Sequence, residues 1–170
     1  MRATKDDQGR RSSIDVELAQ TAFRAAVQGN VRALVEALDA GVPFDLDDQA
    51  GNTLLMLASY HGRPEATAVL LDRGADPNRT NVHGHAPLSG AALRGDLRSA
   101  RLLLQRGARV DHAGEDGRTP LMLAVMFDRV DVVNALLDAG ADVRRRDRRG
   151  RGPRELALTM GVWRTQFVLG

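Results

Sequence analysis

Apolar positions in this 170-residue chain recur with a period of 33 residues. Adjacent leucines repeat at this spacing within stretches whose apolar periodicity predicts an amphipathic helix: Leu70 and Leu71, Leu103 and Leu104, Leu136 and Leu137. Glycines repeat in the same register, in one series at Gly51, Gly84, Gly117 and Gly150, and in a second at Gly41, Gly74, Gly107 and Gly140. Series that agree in one register indicate stacked structural repeats, in which each unit covers the apolar face of its neighbour.

Each unit is predicted to contain two antiparallel helices followed by a turn. Thr53 and Thr119 suit the N-cap of the first helix, and Pro87 and Pro120 suit its first turn. Small residues recur within this helix and allow the second helix to approach closely: Ala58, Ala91 and Ala124. Glycines at the reversal between the helices permit a positive φ, at Gly29, Gly62 and Gly95, with Asp128 at the equivalent position of the last full unit.

These motifs closely resemble the ankyrin-repeat family. The resemblance is carried by the stretch Gly117-Arg-Thr-Pro-Leu121, by the paired leucines, and by Gly-Ala-Asp at 74–76 and 140–142. It implies a mostly α-helical solenoid of stacked helix-turn-helix units, joined by short β-hairpin loops. We therefore expect three full repeats between an N-terminal and a C-terminal capping unit.

The register also predicts the organisation of the chain. Residues 1–14 are polar and are expected to form a disordered tail, and residues 15–170 to form the ankyrin-repeat domain. Within it we predict a cap at 15–47, repeats at 48–80, 81–113 and 114–146, and a truncated cap at 147–170. In that last unit Arg154 replaces the core leucine of the repeats, as the solubility of an open stack requires.

Composition narrows the chemistry and the setting. The absence of cysteine excludes disulfides, thiolate zinc sites and a cysteine nucleophile. No apolar run approaches the roughly 18 residues of a membrane span, and residues 1–13 do not resemble a signal peptide. We therefore expect a cytoplasmic protein without membrane association. Lys5 is the single lysine among 24 basic residues, a bias typical of GC-rich coding genomes, which suggests a bacterial source.

Candidate catalytic or metal chemistry is weak. His83 and His85 invite a metal site completed by His112 or Asp116, but two histidines one residue apart are a poor signal. The register places them at an exposed hairpin tip, where contact with a partner or solvent is the better interpretation. Neither a phosphate-binding loop nor a nucleophile elbow is present. We predict a protein that is not an enzyme and uses no cofactor or metal.

The resemblance implies a concave groove, lined by the hairpin tips and by the exposed turn of each first helix. At that turn Val27, Tyr60, Leu93 and Met126 recur every 33 residues, with Phe127 beside them. An exposed apolar stripe of this kind is typical of a protein interface. The alternative is that some of these side chains pack back between the helices as part of the core.

Charge is distributed unevenly along the chain. Residues 1–140 carry a net charge of −3 and residues 141–170 a net charge of +5, the latter including Arg146, Arg148, Arg149 and Arg151 at a hairpin tip. Three interpretations remain: a solvated cap, a surface that steers an acidic partner, or a contact with nucleic acid phosphates. Trp163 and Phe167 are expected to pack within the cap, which leaves the arginines without neighbouring aromatics for base stacking.

The sequence predicts a non-catalytic protein–protein interaction module, acting as an adaptor or inhibitor and monomeric in isolation. The alternative is a nucleic-acid-binding protein that uses the arginine cluster. The predicted partner-binding residues are Tyr60, His61, His83, His85, Leu93, Arg94, Arg118, Met126, Phe127, Arg146, Arg148 and Arg149.

Overall fold

The computed structural model describes residues 16–162 and 164–165. This part of the chain contains nine helices: α1 (Val16–Gln28), α2 (Val31–Asp39), α3 (Leu54–Tyr60), α4 (Pro64–Asp72), α5 (Pro87–Arg94), α6 (Leu97–Gln105), α7 (Pro120–Met126), α8 (Val130–Asp138) and α9 (Pro153–Met160). The predicted tail at 1–14 lies outside the described residues, as do Trp163 and Phe167 of the predicted cap.

The helices form two layers of a solenoid. The first helices of successive units, α1, α3, α5, α7 and α9, pack side by side, while α2, α4, α6 and α8 form the second layer. Within each of the first four units the two helices also pack against each other. This arrangement confirms the predicted helical solenoid of three full repeats between two capping units.

The core follows the 33-residue register. Leu55, Leu88 and Leu121 of the first helices are buried, and so are Leu70, Leu103 and Leu136 of the second helices. Burial of each such side chain contributes roughly 2 kcal/mol to the free energy of unfolding. Arg154, which takes the leucine position in the unit that contains α9, is exposed as expected.

The helix boundaries also follow the local chemistry. Thr53 and Thr119 accept N-cap hydrogen bonds from the amides of Met56 (3.1 Å) and Met122 (3.3 Å). Asp128, which replaces the inter-helix glycine, adopts a φ of +53° as that position requires. Its carboxylate accepts a hydrogen bond from the amide of Thr165 at 3.2 Å, which ties the C-terminal segment to this turn.

The predicted β-hairpin loops are tight turns. We call residues 48–52, 81–85, 114–118 and 147–151 the four tips, numbered in chain order. In each tip the first residue donates a backbone hydrogen bond to the carbonyl of the last, at 2.9–3.1 Å. Over the described residues, pairing of the strand type is limited to one isolated bridge between Asp47 and Thr53.

Neighbouring tips are joined by a second series of backbone hydrogen bonds. The amide of Val82 donates to the carbonyl of Ala50 (3.0 Å), that of Glu115 to His83 (2.9 Å), and that of Arg148 to Asp116 (3.0 Å). Donors and acceptors both advance by 33 residues. The tips therefore form a continuous row beside the layer of first helices.

Candidate functional site

The tips and the first helices enclose a cavity of about 280 Å³ near the middle of the stack, which we call the central pocket. Its wall is mostly apolar and combines residues of α3, α5, α7 and the first two tips. The lining residues are Asn52, Met56, Leu57, Tyr60, His61, Asn81, His85, Ala86, Ser89, Gly90, Leu93 and Leu123.

Two residues of α5 that border the central pocket, Ser89 and Gly90, are small. Ser89 and Gly90 lie where the flanking units have Met56 and Leu57 on one side and Met122 and Leu123 on the other. Serine in place of methionine leaves space here, whereas the backbone of Tyr60 in α3 lies where the side chain of residue 90 would begin. The remaining space is bordered by the larger residues of both neighbouring units.

Gly90 also allows α3 and α5 to pack closely. A Cβ atom on Gly90 would lie 3.1 Å from both the nitrogen and the Cα of Tyr60, tighter than ordinary van der Waals contact. This approach places Tyr60 at the rim of the central pocket, where 48% of its surface remains exposed. The Tyr60 ring also makes an edge-on contact with the imidazole of His61, at a centroid separation of 5.3 Å.

Ser89 presents an unusual polar group in this wall. Only 3% of the residue is exposed, and its hydroxyl has no hydrogen-bond partner within the described part of the chain. A buried hydroxyl without a partner costs roughly 1–3 kcal/mol. Packing within the stack alone therefore does not account for a serine here.

A second cavity, of about 510 Å³, lies across the last three tips, and we call it the arginine-lined cavity. Unlike the central pocket, its lining is almost entirely charged or polar. It consists of His83, His85, Glu115, Asp116, Arg118, Asp147, Arg148, Arg149 and Arg151.

The first residue of a tip normally braces the turn with its side chain. The Asp48 carboxylate accepts from the amides of Ala50 and Asn52, both within 2.9 Å. Asn81 and Asp147 accept the equivalent pairs of amide hydrogen bonds in the second and fourth tips. In the third tip the equivalent residue is Gly114, which has no side chain to do this.

The imidazole of His85 occupies the space above Gly114. A Cβ on Gly114 would come within 2.4–2.6 Å of the His85 ring, so the ring can occupy this position only because residue 114 has no side chain. Two polar atoms nearby have no partner among the described residues: Nδ1 of His85 and Nε of Arg118. In the fourth tip the equivalent guanidinium, that of Arg151, pairs with the brace residue Asp147 at 2.8 Å. Because Gly114 supplies no brace carboxylate, Arg118 Nε lacks, within the described part of the chain, the partner that Arg151 has.

Charge in the arginine-lined cavity is only partly compensated. Asp147 pairs with Arg151, and Asp116 lies 3.4 Å from Arg118. Burial alone would raise the pKa of the Asp147 carboxyl, but hydrogen bonds from the Arg151 amide and guanidinium hold that pKa below its ordinary value. Arg148 and Arg149 are exposed and form no ion pair within the described part of the chain.

The structure divides the predicted binding residues into three groups. Tyr60, His61, His85 and Leu93 line the central pocket. His83, His85, Arg118, Arg148 and Arg149 line the arginine-lined cavity. The other four, Arg94, Met126, Phe127 and Arg146, line neither of these two cavities.

These four residues have different surroundings. Phe127 is 44% exposed, and Met126 beside it is half-buried. Arg94 is exposed, and its aliphatic portion lies over Gly62. Arg146, which the sequence groups with the other tip arginines, instead forms an ion pair with Glu155 at the start of α9, at 2.5 Å. That pair holds the pKa of the Glu155 carboxyl below its ordinary value.

The histidines are placed differently from one another. Burial, together with the nearby charges of Arg63 and Arg94, lowers the pKa of His61 and favours its neutral form. His112 donates from Nε2 to the carbonyl of Gly84 at 2.9 Å, which ties the segment just before the third tip to the second tip. Across residues 16–162 and 164–165, no three histidine or carboxylate side chains are grouped so that they could hold a metal ion.

Sequence reasoning did not single out Ser89, Gly90 or Gly114 as residues that shape the face. The signal is present in the repeat register, where Ser89 and Gly90 interrupt a Met-Leu pair that occurs in both neighbouring units. Gly114 similarly interrupts the Asp or Asn found at positions 48, 81 and 147. Each cavity therefore lies at a position where one unit has a smaller residue than the equivalent positions of the other units.

Comparisons with known proteins agree with the fold. A family profile described as three copies of ankyrin repeats matches residues 79–147, and one described as many copies of ankyrin repeats matches residues 38–91. A Pseudomonas aeruginosa protein that carries an ankyrin-repeat name is 43% identical over 49 residues. That match spans 29% of this chain and 29% of the relative, so it concerns only part of either protein.

No helix in the part of the chain described by the structure is both long and apolar enough to cross a membrane. The two family profiles together extend from residue 38 to residue 147, through all three full repeats. The repeat register, the two-layered helical stack and these matches agree: the chain belongs to the ankyrin-repeat family.

Proposed function

We propose that this chain is a cytoplasmic, non-catalytic bacterial protein that binds another protein through the face formed by its tips and first helices. In this role it would act as an adaptor or an inhibitor. Ankyrin repeats are generally protein–protein interaction modules. The observation that carries the proposal is the presence of an apolar pocket beside an arginine-lined cavity on the same face.

The exposed side chains on this surface are of the types that dominate protein interfaces. Tyr60 and Phe127 both have more than two fifths of their surface exposed. Leu93, at the equivalent position of the unit between them, forms part of the apolar wall of the central pocket. Aromatic, methionine and arginine side chains are enriched at such interfaces and supply most of their binding energy. The position of Tyr60 and Leu93 at the central pocket supports the surface as the binding site, and Phe127 lies at the end of α7, directly after the equivalent of Leu93 in the register.

A non-catalytic role is consistent with the arrangement of the central pocket. Ser89 and His85 both line it, but the serine hydroxyl makes no hydrogen bond to the imidazole or to any other described group. A serine nucleophile requires a base within hydrogen-bond reach. This geometry, together with the generally non-catalytic character of the family, supports binding as the function.

The experiment compares capture of partner proteins from native cytosol by three forms of the chain. The Tyr60→Ala/Phe127→Ala double variant removes two exposed aromatics of the face, and Phe44→Ala removes an aromatic that is 38% exposed beside Gly74, at the end of α4. We expect the wild type and Phe44→Ala to capture the same protein and the double variant to lose it. All three are first shown to be folded by urea unfolding. Equal capture by the double variant would overturn the proposal.

A second candidate function is nucleic acid binding through the fourth tip. It is favoured by one observation: Arg148 and Arg149 are exposed and form no ion pair with any residue that the structure describes. Three carboxylates in the same cavity, those of Glu115, Asp116 and Asp147, oppose a polyanion there. Titration with single-stranded and duplex oligonucleotides at increasing salt tests it, since phosphate contacts give a steep loss of affinity.

A further inference from the structure

The two cavities on the binding face adjoin each other. His85 lines both, and its ring lies over Gly114 between the apolar and the charged regions. A ligand that enters both cavities therefore carries an apolar group close to an acidic one. A polypeptide segment provides this combination when an apolar side chain and an acidic side chain lie close together in its sequence.

The central pocket has the size and lining for one large apolar side chain. Its volume of about 280 Å³ lies beside the small residue Ser89, and it is bordered by Met56, Leu57 and Leu93. The cavity opens on the face beside the exposed Tyr60. Burial of one aromatic or long aliphatic side chain in such a position is the usual energetic centre of a protein interface.

The arginine-lined cavity has donors that need an acceptor. Nε of Arg118 can only donate a hydrogen bond, and it is buried without a partner among the described residues. Arg148 and Arg149 add two guanidinium groups that form no ion pair within the described chain. A carboxylate is the acceptor that best matches a guanidinium in shape and charge.

The charge of the cavity favours a single carboxylate over a polyanion. Four arginines line it, but Glu115, Asp116 and Asp147 line it too, so the summed charge of these side chains is only +1. A run of phosphates would encounter these carboxylates, whereas one aspartate or glutamate side chain can be directed toward Arg118, Arg148 and Arg149.

We propose that the binding face recognises an extended acidic segment of a partner protein, with one large apolar residue in the central pocket and one Asp or Glu in the arginine-lined cavity. The inference rests on the proposed protein-binding function and specifies its ligand. Because His85 borders both cavities, the two recognised residues are expected to be one to three positions apart in the segment. In an extended chain, residues two positions apart lie on the same side and are separated by roughly 7 Å.

The test is a selection of random ten-residue peptides on the full chain, followed by measurement of Kd for the selected peptide. We expect selected peptides to share a large apolar residue within three positions of an Asp or Glu. Replacement of that apolar residue by Ala, or of the acid by its amide, should weaken binding by about tenfold.

Two variants of the protein separate the two cavities. Ser89→Met fills the central pocket with the residue that occurs at the equivalent positions 56 and 122, and should weaken binding at least tenfold. Gln105→Met, an exposed position on α6 in the other helix layer, is its control and should bind as the wild type does.

For the charged cavity, Arg148→Gln/Arg149→Gln should remove the preference for the acidic peptide over its amide form. Arg101→Gln, also exposed on α6, should leave that preference intact.

Selected peptides without the paired pattern, or unchanged affinity of Ser89→Met, would overturn this inference. Cytosolic capture that depends on Tyr60 and Phe127 would in that case still support the proposed function. If neither Ser89→Met nor the Tyr60→Ala/Phe127→Ala variant weakens any interaction, both proposals fail. Selection of acidic peptides that bind Ser89→Met equally well would show charge attraction without a pocket, and would also overturn the inference.

Discussion

Gly90 in α5 lies against Tyr60 in α3 so closely that a methyl group on Gly90 would come within 3.1 Å of the Tyr60 nitrogen and Cα. Tyr60 at the end of α3 borders the same pocket as Ser89 and Gly90. The two small residues of α5 therefore differ in effect: Ser89 leaves space for a ligand, and Gly90 lets α3 approach and so positions an aromatic residue at the edge of that space.

The first prediction concerns this contact. Gly90→Ala should lower the free energy of unfolding by about 1 kcal/mol, because overcrowding of α3 and α5 outweighs the higher helix propensity of alanine. Ser89→Ala, one residue earlier, should be neutral or slightly stabilising, because the hydroxyl it removes is buried and has no partner among the residues that the structure describes. Urea unfolding measures both. Stabilisation by Gly90→Ala would show that the two helices are not in tight contact.

A second prediction concerns the brace of the fourth tip. Asp147→Asn should keep the two amide hydrogen bonds, as Asn81 does in the second tip, but lose the charged bonds to Arg151. At neutral pH the substitution should lower the free energy of unfolding by about 1–2 kcal/mol.

This cost should depend on pH with a defined sign. The folded-state pKa of Asp147 lies below its ordinary value, so the carboxylate stabilises the fold above about pH 4. That contribution is lost as the pH falls through the lowered pKa. Urea unfolding of wild type and Asp147→Asn at several pH values should therefore show a difference that narrows on acidification. A constant difference from neutral to strongly acidic pH would contradict the assignment.

Asp128 supports a third prediction. Asp128→Ala loses the bond from the Thr165 amide and places alanine at a φ of +53°, so it should cost about 2 kcal/mol. Asp128→Gly loses the same bond but relieves the backbone strain, and its stability should stay within about 0.5 kcal/mol of the wild type. Amide hydrogen exchange at Thr165 should be faster in both variants. Equal stability of the alanine variant and the wild type would contradict this role.

The fourth prediction distinguishes two classes of arginine between repeats. Arg63 donates from Nε to the carbonyl of Val27 at 2.9 Å, and its methylenes cover Gly29. Arg63→Ala should therefore cost about 1 kcal/mol. Arg73 forms an ion pair with Asp39 at 2.8 Å, but both side chains are well exposed, so Arg73→Ala should cost less than about 0.5 kcal/mol. A larger loss for Arg73→Ala in urea unfolding would reverse this order.

Much of the fold could be predicted because the repeat imposes the same local requirement several times. The threonine caps, the leucine core and the left-handed turn at Asp128 each follow from a position in the register. The tips differ from the expectation in detail, because they close as tight turns and connect to one another through single backbone bonds.

The candidate site was less predictable, because it depends on positions where one unit lacks the side chain that the other units have. Ser89 and Gly114 are smaller than the residues at the equivalent positions of the other units. The space at Gly114 is filled by a side chain of the adjacent unit, and the space at Ser89 is left open. The direction of the Arg146 side chain could not be predicted either, because it is set by an ion pair with Glu155 at the start of α9. Such pairings between units are not visible from spacing alone.

The most direct test of the account is to incorporate a photo-reactive phenylalanine analogue at position 60 or position 44 and irradiate cells that express the protein. Tyr60 borders the central pocket, whereas Phe44 lies beside Gly74. We predict a covalent adduct with one other protein from position 60 and none from position 44. Absence of an adduct at position 60, or the same adduct from both positions, would contradict binding through this face.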